Sequence, residues 1–382
     1  MRTWAEIDLD ALKYNFNEVK SKTTSPVMAI IKADAYGHGV NMVADTLLKE
    51  GAAWFGVATA DEAIELRNLG YTTPILILGV IFPEEYHSII ERDVSFALSS
   101  YLDAAEIQNV AKAMGKKALL HIKVDTGMGR LGFAVNEKSV EEILKISKMD
   151  YLEIQGIFSH MSKADEADKT YANGQFEKFT AICRALEDKG VALPIKHLAN
   201  SASIATLPHT HFDMVRSGIV NYGLKPSEDV GEEHIRLKPV MTLKSKITHI
   251  KTVEEDLPIS YGGNFVAKKG SKIATVAIGY ADGLSRVLSG KIKFLVKGHY
   301  APVVGNICMD QCMIDITDFD DINTHDEVII FGSDGNNTIS VDSVALLLGT
   351  INYEVVCSVA RRVPRAYIQN SKVIATQNRL KD

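Results

Sequence analysis

The 382-residue sequence has only four cysteines, Cys183, Cys308, Cys312 and Cys357, and no Cys-x-x-Cys pair. It therefore supports neither a disulfide framework nor a zinc site, and it fits a reducing compartment. Positive charge is also in deficit: 42 lysines and arginines against 48 acidic residues give a net charge of -6. With no basic stripe, nucleic acid and anionic membrane are not expected as main partners. No stretch reaches the ~18 unbroken apolar residues of a membrane helix. The opening MRTWAEIDLD has no apolar signal core, so the cytoplasm is the expected location. Solenoid repeats, low-complexity tracts and a Walker-type GxxxxGK[ST] loop are all missing.

What is present suits a globular chain of two domains, with 46% hydrophobic residues to build their cores. Over the first 225 or so residues, eight short apolar runs alternate with amphipathic helical windows: VMAIIK, WFGVA, PILILG, VSFALS, ALLHIKVD, LEIQGIFSH, IKHLAN and MVRSGI. Helical windows such as DEAIELRNLG and GQFEKFTAICRALEDKG end on glycines, Gly70 and Gly190, as helix C-caps do. Eight βα units predict a (β/α)8 TIM barrel, with an open doubly wound sheet as the alternative. After the polar KPSEDVGEEH the texture turns to short β-rich runs separated by turns. The expected division is a barrel over residues 10–232 and a mainly β domain over 233–382, with a strand in residues 1–9 able to join the second.

Barrel enzymes carry their chemistry at the carboxyl ends of the strands. Here those ends hold Lys32, Lys123 and Asp125, His160, Asn200 and Ser201, and Arg216 followed by Ser217, Gly218 and Ile219. Each residue has an ordinary explanation. Lys32 could snorkel from a strand end, His160 could sit hydrogen-bonded in a core, and NSAS could simply cap a helix. Their convergence on one rim is harder to explain that way. Loops after the last two strands of such barrels commonly bind phosphate, a task that suits Ser201 and the backbone at Gly218 and Ile219. A lysine beside a phosphate site points to pyridoxal phosphate, whose aldehyde forms an imine with an amine.

VMAIIKADAYGHG resembles the cofactor-lysine signature of the alanine racemase family. HIKVDTGMGRLG, FSHMSKADE, NSAS, RSGI, ISYGG, IGYADG, GNICMDQ, INYEV and RRVPR agree with that family in order along nearly the whole chain. The resemblance implies a homodimer that interconverts L- and D-alanine through a two-base mechanism and supplies D-alanine for peptidoglycan. Lys32 would hold the cofactor and act as the base on one face of the α-carbon. Tyr261 of the partner subunit would be the base on the other. Tyr36, Ser201, Gly218, Ile219 and Tyr353 would hold the phosphate, with His160 and Asn200 also at the cofactor and Arg216 at the pyridine nitrogen. Arg130 and the Met309 amide would meet the substrate carboxylate, supported by Asp310 and by Lys123, which is often carbamylated in the family. A chain from Arg216 through His160 to Tyr261 would help a phenol, a poor base near neutrality, to act as one. Asp165, Tyr280, Arg286 and Asn306 would line the substrate corridor.

Two departures stand out. Asn306 replaces an arginine usual in the family, and Met161 and Ser162 follow His160 in place of the common phenylalanine and alanine. Asn306 keeps open a racemase of broader range, and Lys163 could restore a positive charge in the corridor. A related barrel decarboxylase and a non-catalytic cofactor-binding protein are the other readings.

Overall fold

The computed structural model describes residues 1–381. The chain divides into two compact units, one built from Leu12–Ala35 and Val40–Lys238, the other from Met1–Ala11, Tyr36–Gly39 and the chain from Pro239 onward.

In the first unit eight parallel strands follow one another in the order expected of a barrel. They are Val27–Ile30, Trp54–Val57, Ile75–Ile77, Ser95–Leu98, Ala118–Asp125, Leu152–Phe158, Ile195–His197 and Val215–Ser217. The last pairs in parallel with the first through Val215↔Val27, Arg216↔Met28 and Ser217↔Ala29. Between the seventh and eighth strands, Asp213 N donates to Lys196 O at 3.0 Å and Arg216 N to Ala199 O at 3.1 Å. The open-sheet alternative is excluded by this circuit. Strands covered on both faces show no regular polar alternation, which is why these segments read as mainly apolar runs. Most stop one to three residues before the apolar run does, and the residues beyond the ladder turn outward as the rim. Lys32, for example, lies two residues past the first strand.

The helices follow their sequence signals. Ala60–Asn68 starts with a capping box, Thr59 accepting from Glu62 N while the Glu62 carboxylate turns back on Thr59 N. Thr170–Asp188 runs 19 residues to Gly190, which sits at φ 81°.

The second unit is organised by the 12-residue strand Met241–Thr252. It pairs antiparallel with Thr3–Asp8, Lys272–Val276 and Glu327–Asp334, and Thr3–Asp8 pairs in parallel with Arg365–Gln369. Val253, Ile259, Ala267, Ile273 and Val304 form one apolar cluster of this unit. Two helices, Val341–Leu348 and Asn352–Cys357, were not anticipated from its β-rich texture. The first is nevertheless marked in the sequence by the Ser340 N-cap and the left-handed Gly349.

Candidate active site

Directly after Lys32 the backbone turns the wrong way round. Ala33, Asp34, Ala35 and Tyr36 all have φ between 52° and 54°, a left-handed turn of four consecutive non-glycine residues. Each costs about 1 kcal/mol or more relative to a right-handed turn, so the surroundings must impose the shape. Glu62 Oε1 accepts from Ala33 N at 2.6 Å, and Asp34 Oδ1 accepts from Val40 N at 2.8 Å. Gly37 continues the positive φ, and a Cβ there would lie 2.4 Å from Val356 O. The lysine is thereby held at the start of a fixed turn rather than on a loose loop.

Arg216 is buried and makes most of its bonds to the barrel wall. Nη1 donates to His197 Nδ1 at 3.1 Å and His197 O at 3.0 Å. Nη2 faces Ser159 O at 2.7 Å, Leu198 O at 3.0 Å and His160 Nδ1 at 3.4 Å. Only Nε–H has no acceptor among the described residues. Burial pushes Arg216 down to about 9, which still leaves it cationic at neutral pH.

Because a guanidinium can only donate, these contacts fix the histidine tautomers. His197 accepts on Nδ1, so its proton lies on Nε2 and is donated to His121 Nδ1 at 2.9 Å. His121 in turn carries its proton on Nε2, which is buried without a partner. Both rings are held neutral: burial, then Arg216, pushes His121 down to about 3 and His197 well below its ordinary range. The Phe158 ring stacks on His197 at 4.8 Å, with the Arg216 guanidinium 5.6 Å and the Lys123 ammonium 5.3 Å from its centre. Gly156 makes room, since a Cβ there would come within 2.6 Å of His121 Nδ1.

His160 lies on the other side of Arg216. Its Nδ1 accepts, leaving Nε2–H as its donor, and burial followed by Arg216 holds the ring neutral. Lys123 is buried and pushed down to about 7, first by burial and then by Arg216.

The NSAS segment does both things it could do. Asn200 caps the helix Ser201–Thr206 by accepting from Ser203 N at 3.1 Å, and its amide donates to Met161 O at 3.0 Å. Ser201 Oγ accepts from Gly218 N at 2.9 Å, which leaves its hydroxyl proton to donate. Ile219 opens the 3-10 helix Ile219–Tyr222, where an N–H has no intrahelical acceptor. A hydroxyl donor and an unpaired amide suit a phosphate, and Arg216 Nε–H suits an unprotonated ring nitrogen. These residues fit pyridoxal phosphate. Arg130 is exposed, its own amide one of four that Asp125 gathers from the loop 127–130. Asp165 accepts from Ser227 Oγ on its carbonyl at 2.7 Å, and Lys163 is paired with Glu166 at 3.2 Å.

In the second unit the Tyr36 and Tyr353 rings lie 6.2 Å apart. Tyr261 is 69% exposed and Met309 53% exposed. Asp310 accepts from Arg362 Nη2 at 2.6 Å, and Arg362 Nε meets the buried Asp282 at 2.7 Å. Tyr280 and Arg286 are exposed on two short 3-10 turns.

Residues 7–226 match the family profile described as "Alanine racemase, N-terminal domain", and residues 240–367 match "Alanine racemase, C-terminal domain". The chain belongs to the alanine racemase family. An alanine racemase of Methanococcus maripaludis is 49% identical over 368 residues, 96% of this chain and 98% of that one. One from Clostridium perfringens is 44% identical over 376 residues, covering 98% and 97%. Among solved structures, Clostridium difficile 630 alanine racemase superposes with a TM-score of 0.95 at 43% identity, covering 100% of this chain and 99% of that one. Alanine racemase from Bacillus anthracis with bound L-Ala-P gives 0.95 at 36% identity, covering 100% and 98%.

Three residues that shape the rim, Glu62, His121 and His197, carry no functional signal in the sequence. Glu62 was visible only as a helix-start signal, Thr59-x-x-Glu62, with no sign that its second oxygen reaches Ala33. His121 and His197 sit within apolar strands and read as ordinary core. Their partnership with Arg216 needs the barrel to close.

Proposed function

We propose that the chain interconverts L- and D-alanine with pyridoxal phosphate, as a homodimer whose sites take residues from both subunits. The observation that carries this reading is Arg216, locked by five contacts to the barrel wall with one N–H left over, on the same rim as Lys32 and the Ser201–Ile219 donors. When bound, the cofactor supplies an aldehyde for the lysine and a ring that accepts electron density from the α-carbon. Lys32 holds it and moves a proton on one face. Ser201 and Ile219 hold the phosphate with Gly218, Tyr36 and Tyr353, and Asn200 orients the helix that presents Ser201. Arg216 faces the ring nitrogen as a donor. Cationic at neutral pH, it could only donate there, which would leave the nitrogen an acceptor and the ring a weaker sink for electrons.

Tyr261 of the partner subunit moves the proton on the opposite face, and its exposure on a single chain supports that role. His160 Nε2–H donates toward it and Arg216 lends positive field, both favouring a phenolate. Racemisation needs one proton to leave and another to arrive on the other side, so one base per face is sufficient. Arg130 and the partner's Met309 amide bind the substrate carboxylate, with Asp310 in support, and Asp165, Tyr280, Arg286 and Asn306 line the corridor. The D-alanine made this way serves peptidoglycan, in the cytoplasm. Chirality assays on L-alanine, L-serine and L-lysine test the reading. Inversion of alanine far ahead of the others is expected, and comparable turnover of all three would replace it with a racemase of broader range.

Lys123 is set up for carbamylation. Its depressed pKa leaves much of the amine neutral near pH 7, and an anion formed there would answer the charges of Arg216 and Arg130, both of which disfavour the ammonium. The amine would attack carbon dioxide and release a proton. With 13C-bicarbonate at about pH 8, a carbamate carbon signal is expected that weakens toward about pH 6, as the amine protonates through its pKa, and is missing in Lys123→Ala. A spectrum without the signal at either pH would contradict this.

A further inference from the structure

Tyr261 sits at the tip of a hairpin whose strands join the unit's apolar cluster through Ile259 and Ala267, while the tyrosine itself is 69% exposed on a single chain. The strands Leu257–Ile259 and Phe265–Ala267 pair antiparallel, and Ser260 to Asn264 connect them. That connection is strained: Ser260 has φ 66° and ψ −177°, a region nearly reserved for glycine, and Gly262 and Gly263 are also at positive φ. An exposed tip of this kind has little local contact density to fix it.

The neighbouring segment Gly305–Cys308 supplies the missing restraint. Ser260 Oγ donates to Asn306 O at 2.6 Å, and Asn306 Nδ2 donates to Tyr261 O at 2.6 Å. A carbonyl can only accept, so the amide nitrogen must be the atom facing Tyr261. Ser260 Oγ also lies 3.4 Å from Cys308 Sγ. The segments approach closely because Gly305 has no side chain; a Cβ there would fall 2.6 Å from Ile259 O. The two residues bracket the tyrosine reciprocally, each reaching the other's segment.

We infer that Asn306 is a positioning residue for Tyr261: its side-chain amide and the Ser260 hydroxyl latch the hairpin tip, fixing where the phenol is presented. This rests on the reading of Tyr261 as a base. The position usually given to an arginine thus acts here on the tyrosine main chain, and its consequence lies in the proton-transfer step before it lies in substrate choice.

Asn306→Asp keeps the shape but puts a carboxylate, which cannot donate, against the Tyr261 carbonyl. Ser260→Ala removes the reciprocal bond. In the loaded dimer each is expected to lower kcat about tenfold with KM changed less than about twofold, the effect of a sub-ångström misplacement of a reacting group. The deciding readout is the α-deuterium isotope effect on kcat/KM for each enantiomer. Slowing the Tyr261 step alone should raise it for the enantiomer whose proton Tyr261 removes and lower it for the other. A uniform loss of active enzyme would move neither. Unchanged isotope effects in both Asn306→Asp and Ser260→Ala would overturn the inference, with or without a fall in kcat. Tyr261→Phe separates this from failure of the underlying reading. If that variant keeps full activity, Tyr261 is not a base at all.

Discussion

Lys32→Ala and Tyr261→Phe proteins, each inactive alone, should regain activity when mixed under conditions that exchange subunits. On the proposed mechanism either change removes one of two proton carriers, and it is expected to cost at least about a thousandfold in kcat. In a hybrid dimer with shared sites, one site inherits both losses and the other inherits none. Random reassortment makes about half the dimers hybrid, so roughly a quarter of parent activity should return. The expectation follows from where the two residues lie. Lys32 is fixed on the barrel rim by a left-handed turn, whereas Tyr261 is 69% exposed on a hairpin tip, free to serve a site on another chain. Proven exchange without recovery would refute the shared site. Measuring exchange by mass-labelled subunits closes that gap.

Arg216→Glu is the second large effect. The guanidinium satisfies Ser159 O, Leu198 O, His197 O and His197 Nδ1 inside the barrel, and a carboxylate can satisfy none of them. Stability should fall by about 3 kcal/mol, since buried acceptors are left unpaired. Racemisation should fall at least about a hundredfold, as a positioned charge in a water-poor site is lost. The more telling result concerns side reactions. A carboxylate can hold a proton on the ring nitrogen, which makes the ring a stronger electron sink. Per inversion event the variant should release more pyruvate by transamination. An unchanged ratio of pyruvate to D-alanine would show that Arg216 does not restrain the electron sink. Unfolding curves measured alongside keep the stability loss apart from the chemistry.

The barrel was legible because strands buried on both faces are written as short, mainly apolar runs, five of the eight ending in a polar residue. ALLHIKVD coincides with its strand, and Lys32, Lys123, His160, Asn200 and Arg216 stand at the strand ends in the expected order. The left-handed turn was not legible. Alanine, aspartate, alanine and tyrosine have no shared preference for positive φ, and the turn is held by bonds that the local sequence does not announce, among them Ala33 N to Glu62 from the next βα unit and Val40 N to Asp34. His121 was hidden for a similar reason: within an apolar strand a histidine gives no sign of which tautomer it holds or for whom. The helices near the carboxyl end were concealed by the β-rich runs around them. Asn306 was visible only as a departure; its bond to the Tyr261 carbonyl depends on two loops meeting at Gly305.

The central claim, proton removal and return at the α-carbon from opposite faces, is tested most directly by proton NMR in deuterated water. The cofactor-loaded protein is given L-alanine, and loss of the α-proton signal is followed together with chirality. Exchange accompanied by D-alanine, with neither in Lys32→Ala, is the predicted result. Exchange without inversion would leave a single base on one face, and no exchange at all would leave a protein that binds the cofactor without racemising alanine.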